Sequence, residues 1–144
     1  MVHENRQLIN CLYDDYDNPL LMRAMLWNND DVFEYLIKKS QDFSVVNRDG
    51  RNIIHCSVFC GDDEICESQL IKLSHKTNVE SLINERDVDG YTPLHEAAHW
   101  NKHRTIAWLI SMGSDVNVRN NLNELPDEHD WCNDETKRII RQSR

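Results

Sequence analysis

Residues 86–103 read "RDVDGYTPLHEAAHWNKH", and two chemistries compete for them. His95-Glu96-Ala97-Ala98-His99 spells HExxH. Two imidazoles four residues apart share one face of a helix, so they can hold a Zn²⁺ while the intervening glutamate activates its water. A zinc hydrolase also needs a third ligand, and the extended form of the motif places a glycine and a histidine three and six residues after the second histidine. Lys102 and Thr105 stand there instead. His103 lies four residues beyond His99 and adds at most a weak surface stripe. A zinc-dependent hydrolase built on His95, Glu96 and His99 is therefore kept as the alternative reading.

The neighbouring sequence favours a repeat, and fixed-period self-similarity overrides most local readings. "NRDGRNIIHCSVFCG" (47–61) places Gly50 with Gly90, Ile54 with Leu94, His55 with His95, and Ser57-Val58 with Ala97-Ala98, forty residues apart. Pro93 recurs as Pro126 after thirty-three residues, and Ser57 matches Ala24 at the same interval. A proline tolerates the first helical turn, and threonine or asparagine before it caps that turn, so Thr92-Pro93 and Asn18-Pro19 are each expected to open a helix. Small residues at 24, 57, 97 and 98 allow helices to approach closely. Second helices are expected after "NNDD" (28–31), "GDDE" (61–64) and "NDE" (133–135), where carboxylates meet unpaired N–H groups.

Thr92-Pro93-Leu94-His95-Glu96-Ala97-Ala98, followed by "LISMGSDVNVRNN" (109–121), resembles the ankyrin-repeat family, whose signature is a β-turn plus two helices with a TPLHxA motif. The resemblance implies an all-α solenoid of about four helix-turn-helix units joined by short hairpins. The units are about 17–47, 48–86, 87–119 and 120–144, within a repeat domain over 17–144 that follows an N-terminal capping helix over 1–16. Seven extra residues in 65–84 predict a longer second helix and a polar loop near 74–78. In the last unit Asp127-Glu128 replaces Leu-His, as suits a terminal repeat that turns a polar face to water. The resemblance makes His95 a buried turn brace, leaves Glu96 incidental, and makes Asn117, eight residues after Leu109, similar to the ankyrin asparagines modified by the oxygen-sensing asparaginyl hydroxylase.

Composition narrows the function. The 144 residues suit one domain, and 25 acidic against 16 basic residues give a net charge of −9 that disfavours nucleic acid and anionic membrane. No apolar run approaches a membrane span, and "MVHENRQLIN" has no signal-like apolar core. Five cysteines without a CxxC pair fit reduced thiols, so a cytoplasmic or nuclear monomer is expected. Cys56 and Cys60 are four apart but have no further ligand pair, and phosphate-binding glycine loops are absent. No cofactor and no metal are expected.

What remains is a non-enzymatic module, an adaptor or inhibitor, that binds a protein partner through its concave surface. At the ends of the first helices Leu26-Trp27, Phe59-Cys60 and His99-Trp100 bring large apolar groups where the family usually has small or polar ones. Trp27, Phe59, His99 and Trp100 are the expected contact residues, with Asp87, Asp89 and Arg119 forming a polar rim.

Overall fold

The structure, a computed structural model, describes residues 18–39, 42–59 and 61–144. The capping helix expected over 1–16 lies outside them, as does Cys60. Among the described residues there are seven α-helices. They are α1 (Leu20–Leu26), α2 (Asp30–Lys39), α3 (Ile53–Phe59), α4 (Asp63–Ser74), α5 (Pro93–His99), α6 (His103–Ser111) and α7 (Asp134–Gln142). The fold is an all-α repeat fold. First helices stack on first helices (α1 on α3, α3 on α5), and second helices stack on second (α4 on α6, α6 on α7).

The core is one continuous seam through the stack, including Met25, Phe33, Ile54, Leu70, Leu94, Ile106, Leu109 and Ile140. Ala24, Ser57, Ala97 and Ala98 are at most 1% exposed, where the first helices meet. Any larger side chain there would have to displace a neighbouring helix.

Each first helix is seven residues long, and its start is set by the cap. Thr92 caps α5: its Oγ accepts from the His95 N–H, and Pro93 fills the first helical position. In α3, Asn52 does the same with its Oδ1, which accepts from the N–H groups of Ile54 and His55. Asn18-Pro19 departs from expectation. Pro19 is itself the cap residue of α1, with no side-chain cap, and the helix begins at Leu20. The proline sits one residue earlier than Pro93 in the repeat register, matching Asn52 and Thr92, so it fixes an extended entry and does not open the first turn.

The hairpins that precede these helices are built by one device used three times. Asn47 Oδ1 accepts from the N–H groups of Asp49 and Arg51, Asp87 Oδ1 from those of Asp89 and Tyr91, and Asn120 Oδ1 from those of Leu122 and Glu124. The turn residue needs a left-handed backbone, which Gly50, Gly90 and Asn123 supply. A side chain at Gly90 would meet the Asn121 backbone N at 2.7 Å. Successive hairpins are tied to each other by Val88 N–H to Asp49 O and Asn121 N–H to Asp89 O.

The longer spacing between the second and third units is absorbed in two places. Helix α4 has 12 residues where α6 has 9, and the remainder forms a turn at 75–78 and a 3₁₀ segment, Val79–Ser81, capped by Asn78. Val79 returns to the core at 3% exposed. Leu70 and Leu73 are fully buried, while Ile71 is 39% exposed, so the extra turn adds only a narrow apolar stripe.

The last unit keeps its second helix but not its first, since residues 125–132 form successive turns. Asp127, where an apolar residue stands in the other units, is buried and held by Arg141 and Arg144. Burial pushes its carboxyl up, but hydrogen bonds from Arg144 and Arg141 outweigh that and hold it below the usual aspartate range. A buried carboxylate held by two arginines thus stands where the other units bury Leu21, Ile54 and Leu94.

Candidate protein-binding surface

The first-helix C-termini and the hairpins form one face of the stack, and most residues expected to bind a partner fall on it. Leu26, Phe59 and His99 end α1, α3 and α5 in the same register, and Trp27 and Trp100 follow as C-caps. Trp27 is 64% exposed and Trp100 54%. The three aromatics expected in one row, Trp27, Phe59 and Trp100, are thus not equivalent. Phe59 sits one residue earlier, about 100° around a helix, and is half-buried.

Arg51 explains why. Its guanidinium carbon lies 4.5 Å from the Phe59 ring centre, its Nε lies 3.4 Å from Asp87 Oδ2, and its Nη2 lies 3.3 Å from Glu96 Oε1. One cation ties the hairpin at 47–51 to the hairpin at 87–91, to α5 and to an aromatic face. Two expectations change here. Asp87 is not an exposed rim residue: it is 7% exposed and divides its carboxylate between its own turn and Arg51. Glu96 is not incidental either, being 7% exposed and ion-paired, with burial raising its pKa against the pull of Arg51.

The other rim residues are outward. Asp89 is exposed on the hairpin at 87–91, and Arg119 is exposed while donating to Asn123 O at 2.7 Å and pairing with Glu128 at 3.2 Å. Asn117 lies exposed in the loop after α6, its Oδ1 accepting from Arg144 Nε. Between the first and second units a groove of about 300 Å³ is lined by Leu26, Asn47, Asp49, Arg51, Cys56 and Phe59.

The HExxH residues do not converge. His95 Nδ1 accepts from the Thr92 N–H, so its Nε2–H donates to Glu124 O at 3.1 Å, and no lone pair remains for a metal. His55 repeats the arrangement one unit earlier: Nδ1 faces Asn52, and Nε2 faces Tyr91 O at 2.8 Å. Each histidine clamps its own cap to the following hairpin. Glu96 points to Arg51, and no group of three His, Cys, Asp or Glu suited to a metal occurs among the described residues. Cys56 is buried in the core, and its pairing with Cys60 lies outside the described residues.

His99 instead joins an aromatic group that the sequence did not disclose. Its ring centre lies 4.9 Å from Trp100, 5.0 Å from His129 and 5.8 Å from Trp131. Burial, then the neighbouring His129, lower its pKa. Trp131 is 68% exposed. Asn101, in the left-handed region at φ 53°, fixes it by donating to Trp131 O at 2.9 Å while accepting from Asn133 N–H and the Thr136 hydroxyl. The repeat register aligns Trp131 with the small, buried Ala98. It escapes to the surface because the last unit forms turns there and not a helix.

A family profile described as ankyrin repeats (3 copies) matches residues 21–120. The rat nuclear factor NF-kappa-B p105 subunit is 29% identical over 78% of this chain and 11% of its own length. An ankyrin and IPT/TIG repeat-containing protein of Schizosaccharomyces pombe is 30% identical over 73% and 8%, and the Drosophila melanogaster tyrosine-protein kinase Shark is 33% identical over 70% and 10%. The chain spans about a tenth of the length of these curated relatives.

Proposed function

The chain belongs to the ankyrin-repeat family, and we propose that it acts as a non-enzymatic adaptor or inhibitor that engages a protein partner through the face made by its hairpins and first-helix C-termini. The observation that carries this is the exposure of Trp27, Trp100 and Trp131, each more than half open to solvent on a hydrogen-bonded scaffold. Soluble proteins seldom leave several tryptophans uncovered, and interface energy concentrates on such anchors. Ankyrin stacks present this face as an extended binding surface. The match to a p105 subunit supports a partner in the cytoplasm or nucleus, and among the described residues no helix is long and apolar enough to cross a membrane.

Phe59 and His99 contribute from the same face. Asp89 and Arg119 flank it and influence orientation and association rate more than affinity. Affinity capture from cell extract, with the captured partner then titrated against wild type, Trp27→Ala and Trp100→Ala, tests the reading. Each substitution weakens the complex by about 2 kcal/mol while the melting temperature stays near wild type. If both variants melt far below wild type and their folded fraction binds normally, the tryptophans are core and this face is not the interface.

A further inference from the structure

The aromatic rings of this face fall into two groups. In the first unit the Arg23 guanidinium lies 4.6 Å from the Trp27 ring centre, and in the second Arg51 lies 4.5 Å from Phe59. These rings already carry a cation from the chain itself. Among the described residues no cation lies over Trp100 or Trp131. The repeat register gives the reason: the third-unit counterpart of Arg23 is Glu96, and that of Arg51 is Tyr91. Both arginine positions have been replaced, one of them by an acid. Asp130 stands exposed beside Trp131, and the chain as a whole carries −9.

We infer that the pair Trp100 and Trp131, bridged by His99, receives an arginine side chain of the partner, in a basic segment lying across the third and last units. This rests on the reading of the face as protein-binding and adds the chemistry of what binds. A guanidinium stacks on indole more favourably than on any other side chain, and it keeps some of its hydration while doing so. Asn101 holds the Trp131 backbone, the end of α5 holds that of Trp100, and both indoles rest against the His99 ring, which lowers the ordering needed when the cation arrives. Exposed Asp130 and the net charge of −9 on the chain favour a basic segment over an acidic one.

Random linear peptides displayed on phage and selected against the full chain test this, with the enriched sequences then synthesised and titrated. Enriched peptides carry arginine, and replacing it by citrulline, which keeps the shape and removes the charge, weakens binding by about tenfold. Trp100→Leu and Trp131→Leu produce similar losses, Trp100→Phe a smaller one, and the citrulline peptide is insensitive to Trp100→Leu. Bound arginine peptide shifts the indole N–H resonances of both tryptophans. Thermal melting of each variant near wild type confirms the fold. If peptides without a cationic residue are selected and still depend on Trp100 and Trp131, the arginine inference falls and the binding face stands. Should the selected peptides ignore both tryptophans, or should none be enriched, both readings fall.

Discussion

Asp63 caps a helix to which it does not belong. Its Oδ1 accepts from the Thr105 N–H at 2.9 Å and from the Thr105 hydroxyl at 2.8 Å, while Oδ2 accepts the Arg104 N–H at 2.8 Å. Helix α6 needs this because its own cap residue, Lys102, offers no side-chain acceptor. The Lys102 ammonium reaches the other way, to the carbonyls of Val58 in the last turn of α3 and of Gly61 just beyond it, where a cation complements the helix dipole. Units two and three therefore finish each other's helices.

Asp63→Ala should cost about 1–2 kcal/mol, the upper part of the range for a cap because three donors lose their acceptor at once. Asp62→Ala, which removes the single bond to Ile65 N–H within α4, should cost about half as much. Denaturant melts of the two variants make the comparison, and equal losses would mean that the bond across units adds nothing.

Arg51 should be worth more than either of the carboxylates it serves. Asp87 is almost fully buried and Glu96 nearly so, and removing their shared cation leaves two carboxylates facing a half-buried space. Arg51→Met should cost about 2 kcal/mol, discounted from a fully buried pair because the arginine side chain is 28% exposed. Glu96→Gln keeps the Arg51–Asp87 pair and should cost about 1 kcal/mol. A double-mutant cycle between Arg51 and Glu96 measures the coupling directly, and a value near zero would remove the ion pair from the account.

The clamp histidines set the acid limit. Burial pushes the His55 pKa from 6.5 down to about 4, and burial shifts His95 in the same direction. Between those values the unfolded chain binds the proton and the folded one does not, so stability is complete above pH 6.5 and declines as the pH falls toward 4. By pH 5 the loss from His55 alone is on the order of 2 kcal/mol. Urea midpoints between pH 7 and 5 check this, and His55→Gln should be less stable at pH 7 but lose less on acidification. A wild-type midpoint that does not move would contradict the buried neutral clamp.

Most helices of the middle units were legible because their rules are local. Thr92-Pro93, the alanine pair and the acidic start of α4 act within a turn of themselves, whereas α6 takes its cap from Asp63 in the preceding unit. The partition of the inserted residues followed from the fixed offset of Leu82-Ile83 to Gly90. What the sequence hid was contact across units. Glu96 and Asp87 look like surface acids until Arg51, some forty residues away, is brought against them. Trp131 looks like a core residue in the repeat register until the last unit fails to form its first helix. Asn18-Pro19 was misplaced by one residue because the Asn-Pro pair imitates a cap-and-proline start, while Ala24 fixes the true register.

The end of the stack should open before the middle, and Asn101 controls how easily. Its backbone is already left-handed, so Asn101→Gly preserves the turn and removes only the side chain. Three bonds to the last unit go with it, those to Trp131 O, Asn133 N–H and the Thr136 hydroxyl. The Trp131 and Asn133 groups lie open to water and the buried Thr136 hydroxyl keeps His103 Nε2 at 3.0 Å, which moderates the loss to about 1–2 kcal/mol. In a stack where each unit contacts only its neighbours, that cost is felt locally. Helix α7 rests on α6 through Thr136 and Ile140, both fully buried, and has no further unit beyond it among the described residues. Amide hydrogen exchange in Asn101→Gly should therefore quicken by roughly tenfold in α7 while α3 and α4 keep wild-type rates. Uniform acceleration through all helices would show instead that the stack opens as one unit and that Asn101 is no local latch.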